Sequence, residues 1–113
     1  MLFRSVPSGR WPLTAVTFAE ALATSDVPGG VVNLLTGFKD ELLPWLAGHM
    51  DVNGLDLDGA PSDMVAALVD AGAENLKRTR TDRTDDWWAA SAQSPYRIAA
   101  FTETKTVWHP KGR

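Results

Sequence analysis

Apolar positions along the chain fall into two alternating patterns, short β-rich runs and longer stretches with helical spacing. Leu2 to Val6 is an apolar-leaning segment closed by Pro7-Ser8-Gly9, which predicts a strand and a turn. Pro12 opens a run from Leu13 to Ser25, and proline suits a first helical turn because no intrahelical bond needs its missing amide proton. Leu13, Val16, Ala19, Glu20 and Ala23 recur at helical spacing, and Phe18 and Leu22 widen the apolar face, so a largely buried helix is expected. Val27-Pro28-Gly29-Gly30 stops it. Val31 to Leu35 then reads as a strand covered on both faces, as in a parallel sheet.

The same alternation continues beyond Thr36-Gly37. Asp40 to Gly48 predicts a second helix that is short or late-starting, because Pro44 lies inside it. Val52 to Leu57 predicts a weaker third strand, ending at Asp58-Gly59. A third helix is expected from Pro61 and Ser62, with Val65, Leu68, Val69 and Gly72 at i, i+3, i+4, i+7. Strand–helix units repeated in this order predict an α/β fold with a parallel sheet and right-handed crossovers. Lys77 to Asp86 is charged and reads as the start of a fourth strand dissolving into a linker. Tyr96 to Trp108 is a second ordered stretch, and Thr102, Thr104, Thr106 and Val107 favour a strand in its latter half.

Composition narrows the chemistry. The 113 residues suffice for one compact domain, and a net charge of −3 disfavours nucleic-acid or membrane-surface binding, which needs a basic face. Cysteine is absent, which excludes disulfides, thiolate metal sites and cysteine nucleophiles, and His49 and His109 alone make a poor metal set. The N-terminus has no long apolar run, and nothing approaches the roughly 20 apolar residues of a membrane span. A soluble cytoplasmic protein is the expectation.

Several motifs, in order, resemble the NAD(P)-dependent aldehyde dehydrogenase family. Val6-Pro7-Ser8-Gly9-Arg10-Trp11-Pro12-Leu13-Thr14-Ala15 is similar to the family element Lys-Pro-Ser-Glu-x-x-Pro-Leu-Thr-Ala. Ser25 to Gly37 resembles Gly-x-Pro-x-Gly-Val-x-Asn-x-x-x-Gly, His49-Met50-Asp51-Val52 fits His-x-Asp-Val, and Leu57-Asp58-Gly59-Ala60 stands in place of Phe-Thr-Gly-Ser. Asn75 to Arg78 resembles the approach to Glu-Leu-Gly-Gly-Lys. Phe101 to Trp108 resembles a Tyr-Thr-Glu-x-Lys-x-Val strand of the family's oligomerisation sheet.

The resemblance implies an incomplete Rossmann-like parallel sheet with flanking helices plus a C-terminal strand segment. Its parts are a cofactor-lobe-like domain at 1–80, a linker at 81–95 and the strand segment at 96–113. It also implies NAD or NADP as cofactor, held through Pro7, Ser8, Gly37, Asp58 and Gly59. The expected partner is the chain itself or a related aldehyde dehydrogenase subunit, met through the C-terminal strand.

Several functional positions depart from the family. Val6 and Gly9 replace the Lys and Glu that bind the adenosine ribose, and each lost charge-assisted hydrogen bond is worth about 1.5–3 kcal/mol. Ala60 replaces the serine of the pyrophosphate loop, and Asp58 replaces its threonine, where a carboxylate repels a diphosphate unless it is neutralised. Lys39 replaces a loop glycine and either binds phosphate or remains solvated. No residue is assigned a catalytic role, and the family's thiol has no counterpart. Cofactor binding is therefore expected to be weak or lost, and independent activity is not expected.

The remaining candidates have ordinary readings. Trp11, Trp45, Trp87 and Trp88 suggest a stacking platform, but core or interface packing is the expected role. Lys77-Arg78-Thr79-Arg80, Asp85-Asp86 and Glu20 read as solvated charges.

Overall fold

The structure, a computed structural model, describes residues 2–111. Its elements are β1 (Phe3–Ser5), α1 (Pro12–Ala23), β2 (Val32–Leu34), α2 (Lys39–Gly48), β3 (Gly54–Asp56), α3 (Val65–Ala73), β4 (Arg78–Arg80) and α4 (Tyr96–Ala99). The strand–helix alternation therefore follows the apolar pattern. Among the described residues, strand pairing is parallel: Phe3, Arg4 and Ser5 face Val32, Asn33 and Leu34, while Gly54, Leu55 and Asp56 face Arg78, Thr79 and Arg80.

The expected single sheet is corrected to two separate two-stranded sheets, β1–β2 and β3–β4. Each strand has three residues, so each ladder holds few bonds, and a two-stranded sheet depends on packing against other elements. That packing is concentrated in the second half of the chain. Ala47, Leu55, Leu57, Ala60 and Leu68 form the buried apolar core, with Leu43, Val52, Met64, Val65 and Ala71 against it. Gly72 lets α3 approach β3, since a Cβ there would stand 3.3 Å from the Leu55 Cδ1.

The start of α3 shifts from Pro61 to Val65, because residues 61–64 form a turn in which the Met64 amide donates to the Pro61 carbonyl at 3.1 Å. Its C-terminus is closed by a reverse turn in which Leu76 takes φ 55°. There the Leu76 amide donates to the Ala73 carbonyl and the Lys77 amide to the Gly72 carbonyl. The buried Lys77 is satisfied by the Asn75 side chain, which itself donates to the Met50 carbonyl at 3.0 Å. Pro44 is carried inside α2 without ending it.

Two further expectations are corrected. Helix α1 has no buried residue, because only one side of it packs, on β2, and nothing described covers the other. The C-terminal strand is also absent: α4 occupies Tyr96–Ala99, and residues 102–111 adopt no regular structure. Threonine-rich composition alone does not make a strand where no edge accepts its backbone groups. Gly112 and Arg113, the end of that predicted segment, lie outside the described residues.

The C-terminal segment instead folds over the face of β3–β4 opposite α3. The Phe101 ring fills the space above Gly54, where a Cβ would come within 2.8 Å of Cδ1, and Arg78 pairs with Glu103 at 3.0 Å. Accessible surface is 9129 Å², against about 6,100 Å² for a compact monomer of this mass. The radius of gyration is 16.9 Å, where about 13 Å is usual. Trp11, Trp45, Trp87 and Trp88 are exposed, which removes core packing from their expected core-or-interface role, and Trp108 is exposed as well. They stay outside because the core is confined to the side of β3 that faces α2 and α3.

Candidate functional site

Parallel strands deliver their following loops to one end, and ligands of open α/β sheets bind in the crevice at that end. Here Pro7 and Ser8 follow β1, Gly37 follows β2, and Asp58 and Gly59 follow β3. The three loops meet. A Cβ on Gly9 would lie 3.8 Å from the Gly37 carbonyl oxygen, so the first loop touches the second. The Lys39 ammonium donates to the Gly59 carbonyl at 2.6 Å, tying the second loop to the third. Gly59 has φ 78°, a left-handed conformation that glycine adopts without strain. Beside this junction, Pro7 and Ser8 border a shallow groove with Trp11, Thr14, Ala15 and Phe18.

Asp58 faces a different set of partners. Its Oδ2 accepts from the Arg97 guanidinium at 2.8 Å, and its Oδ1 accepts from the Thr84 amide at 3.3 Å. Arg97 also reaches Asp56 at 3.4 Å, donates to the Thr84 hydroxyl and lies 4.4 Å over the Trp87 ring. Arg80 pairs with Asp56 at 3.1 Å. Burial pushes the Asp58 pKa up, but the hydrogen bonds from Arg97 and Thr84 outweigh it and hold the carboxyl below its ordinary value. The neutralisation that a carboxylate at this loop requires thus comes from within the chain.

Of the residues singled out from sequence, Pro7, Ser8, Gly37 and Gly59 are brought to the converging loops. Asp58 stands at the same turn with its charge directed to Arg97. Sequence reading missed Arg83, Thr84 and Arg97, and weighed Trp87 only as part of a stacking platform or as packing. Arg97 is 39 residues from Asp58 and sits in a segment read as a strand, so no local spacing could pair them.

The loops that converge all lie in the first 82 residues, and the family model described as "Aldehyde dehydrogenase family" matches residues 5–82. This chain is a member of the aldehyde dehydrogenase family. The match runs from the end of β1 through β4, whereas α4 and residues 101–108 lie beyond it. The chain is 35% identical over 72 residues to the NADP/NAD-dependent aldehyde dehydrogenase PuuC of Escherichia coli (strain K12). It is 33% identical over the same length to the mitochondrial aldehyde dehydrogenase of Leishmania tarentolae, and 32% to Omega-crystallin of Nototodarus sloanii. Each alignment covers 64% of this chain and 14% of the relative. The chain thus spans about one-seventh of the length of the aldehyde dehydrogenases it matches. No solved structure matches it. Among the described residues, no helix is long and apolar enough to cross a membrane.

Proposed function

We propose that this aldehyde dehydrogenase-family chain is a cofactor lobe that holds NAD or NADP weakly and oxidises no aldehyde by itself. The observation that carries this is the meeting of three loops at the C-terminal ends of β1, β2 and β3 in a chain without cysteine. The donors and glycines present fit a nucleotide diphosphate. Ser8 offers a hydroxyl, Gly59 takes a left-handed turn at φ 78°, and Lys39 places a cation between the Gly37 and Gly59 loops. They do not restore the ribose contacts, because Val6 and Gly9 carry no polar side chain. Bound NAD(P) would supply the hydride-accepting nicotinamide, while this chain's residues bind and orient the phosphates. Without a thiol, the chain has no group to form the covalent adduct from which the family transfers hydride.

Calorimetric titration is expected to give dissociation constants of about 0.1–1 mM for either cofactor, or −4 to −5.5 kcal/mol. Aldehyde added to the loaded chain is expected to yield no reduced nicotinamide. No binding up to millimolar cofactor would remove the cofactor reading, and aldehyde-dependent reduction would remove the claim of inactivity. The compartment this reading assigns is the cytoplasm, since a cysteine-free chain needs no oxidising environment.

A second reading is favoured by the exposed surface of 9129 Å². The chain associates with itself or with a related aldehyde dehydrogenase subunit, using its unpaired C-terminal segment and the open side of α1. Sedimentation at high micromolar concentration is expected to show a species heavier than 12.3 kDa. A strictly monomeric chain would count against this reading.

A further inference from the structure

The outer face of β3–β4 is built from charges and a bare backbone. Along β3, Leu55 and Leu57 turn into the core, so Gly54, Asp56 and Asp58 fall on the opposite side. On β4, Thr79 lies beside Gly72 of α3, which leaves Arg78 and Arg80 on the side of the carboxylates. Such a face accepts a cover only if the cover brings partners for its charges. Residues 84–103 bring them. Arg97 spans Asp58 at 2.8 Å and Asp56 at 3.4 Å, and the Thr84 amide donates to Asp58. Glu103 pairs with Arg78, and the Phe101 ring lies over Gly54.

The attachment of this segment differs from that of every other element. Among the described residues, no backbone–backbone hydrogen bond joins 84–103 to the strands or to α1, α2 and α3. Its backbone bonds run internally, from the Ala89 amide on the Asp86 carbonyl to the Thr102 amide on the Ala99 carbonyl. None of its residues is buried, and Thr84, Arg97 and Phe101, which touch the sheet, are half-buried. A segment held by side chains and outside the core costs less to detach than the core costs to unfold.

We propose that residues 84–103 form a strap that lifts off the β3–β4 face as a unit while the core stays folded, and that its position sets the charge of the β3–α3 turn. With the strap down, Arg80 and Arg97 balance Asp56 and Asp58. With it lifted, Arg80 alone faces both carboxylates, at 3.1 Å and 3.9 Å, and shares itself with Asp82 as well. The turn is thus neutral in one state and anionic in the other. That this difference gates a dinucleotide rests on the cofactor reading, whereas the strap itself does not. The strap lies wholly beyond the family-matched residues, so it belongs to this chain's own C-terminal segment.

Trypsin acting on the native full chain, with the fragments weighed by mass spectrometry, tests the strap. Arg97 lies within it, while the buried Lys77 sits in the turn that closes α3 against the core. Cleavage at Arg97 is expected to be at least about tenfold faster than at Lys77, yet slower than in an isolated peptide of residues 84–103. Phe101→Ala should speed the cut at Arg97 by about tenfold, through the lost apolar contact, and leave the cut at Lys77 unchanged. Glu103→Gln, at an exposed pair, should act in the same direction by about twofold, which keeps the test open if Phe101→Ala destabilises the whole chain. Carbon NMR of the Asp58 carboxyl reads the charge. Its titration lies below the ordinary carboxylate value in the parent and should move up in Phe101→Ala, because Arg97 departs with the strap. Equal cleavage rates at Arg97 and Lys77, or an Arg97 rate equal to that of the peptide, would overturn the strap. So would Arg97 cleavage unchanged in both variants. An Asp58 titration that stays put while Arg97 cleavage accelerates would overturn the charge switch. Absence of NAD binding with the cleavage and titration results as expected would end the cofactor reading and leave the strap standing.

Discussion

Leu68→Ala is expected to remove much of the chain's folding stability at room temperature. Leu68 is 3% exposed at the centre of α3 and packs into a core of five buried apolar residues among the described ones. Truncating a buried leucine costs about 2–5 kcal/mol, the upper end applying where the surroundings cannot collapse into the space. Ordinary domains hold about 5–15 kcal/mol in total, and a chain with this much exposed surface belongs at the low end of that range. Urea unfolding followed by circular dichroism should show the folded baseline shortened or lost. Leu13→Ala, 76% exposed on α1, should shift the midpoint by no more than about 0.5 kcal/mol equivalent. Equal effects of the two substitutions would mean that α3 does not pack on β3 as described.

Arg97→Ala is expected to cost about 2–3 kcal/mol, somewhat below the figure for breaking a fully buried ion pair because both partners retain some water contact. The Asp58 and Arg97 side chains are 12% and 20% exposed. Removal leaves Asp58 with the Thr84 amide and the more distant Arg80 guanidinium at 3.9 Å, and deprives Trp87 of its stacked cation. The acid limb of stability carries the same information. Asp58 has a folded pKa below its unfolded value, so its contribution is complete above the unfolded carboxylate value of about 3.9 and disappears as pH falls through the folded one. Stability of the parent chain should therefore fall with acidification below about pH 5. Arg97→Ala should start lower and fall less steeply over that window. Parallel acid limbs in the two proteins would show that Arg97 does not hold the carboxyl down.

The order of elements was legible because local periodicity carries it: Pro12 opens α1, Gly72 sits where α3 meets β3, and Val31 to Leu35 contains β2. The loops of the candidate site were legible for the same reason, since Ser8, Gly37 and Gly59 each punctuate the end of a strand. Burial was not legible. Leu13, Val16 and Phe18 have the composition of a core face, yet whether such a face is covered depends on what packs against it. The destination of the C-terminal segment was equally hidden. Thr102, Thr104 and Thr106 favour extended backbone, but Phe101 over Gly54 and Arg97 on Asp58 are contacts between residues about 40 or more positions apart. Such contacts leave no periodic trace in the sequence.

The division into two sheets has a consequence for energetics. Among the described residues, every buried one lies at or beyond Ala47, so β1, α1 and β2 contribute none of the buried hydrophobic core described. Cooperative opening follows such boundaries, and amides of the N-terminal unit should exchange through local fluctuations cheaper than global unfolding. A ligand spanning the crevice must therefore order one wall while resting on the other. Part of its intrinsic affinity is consumed in that ordering, and binding tightens whenever something else has already made the first wall rigid.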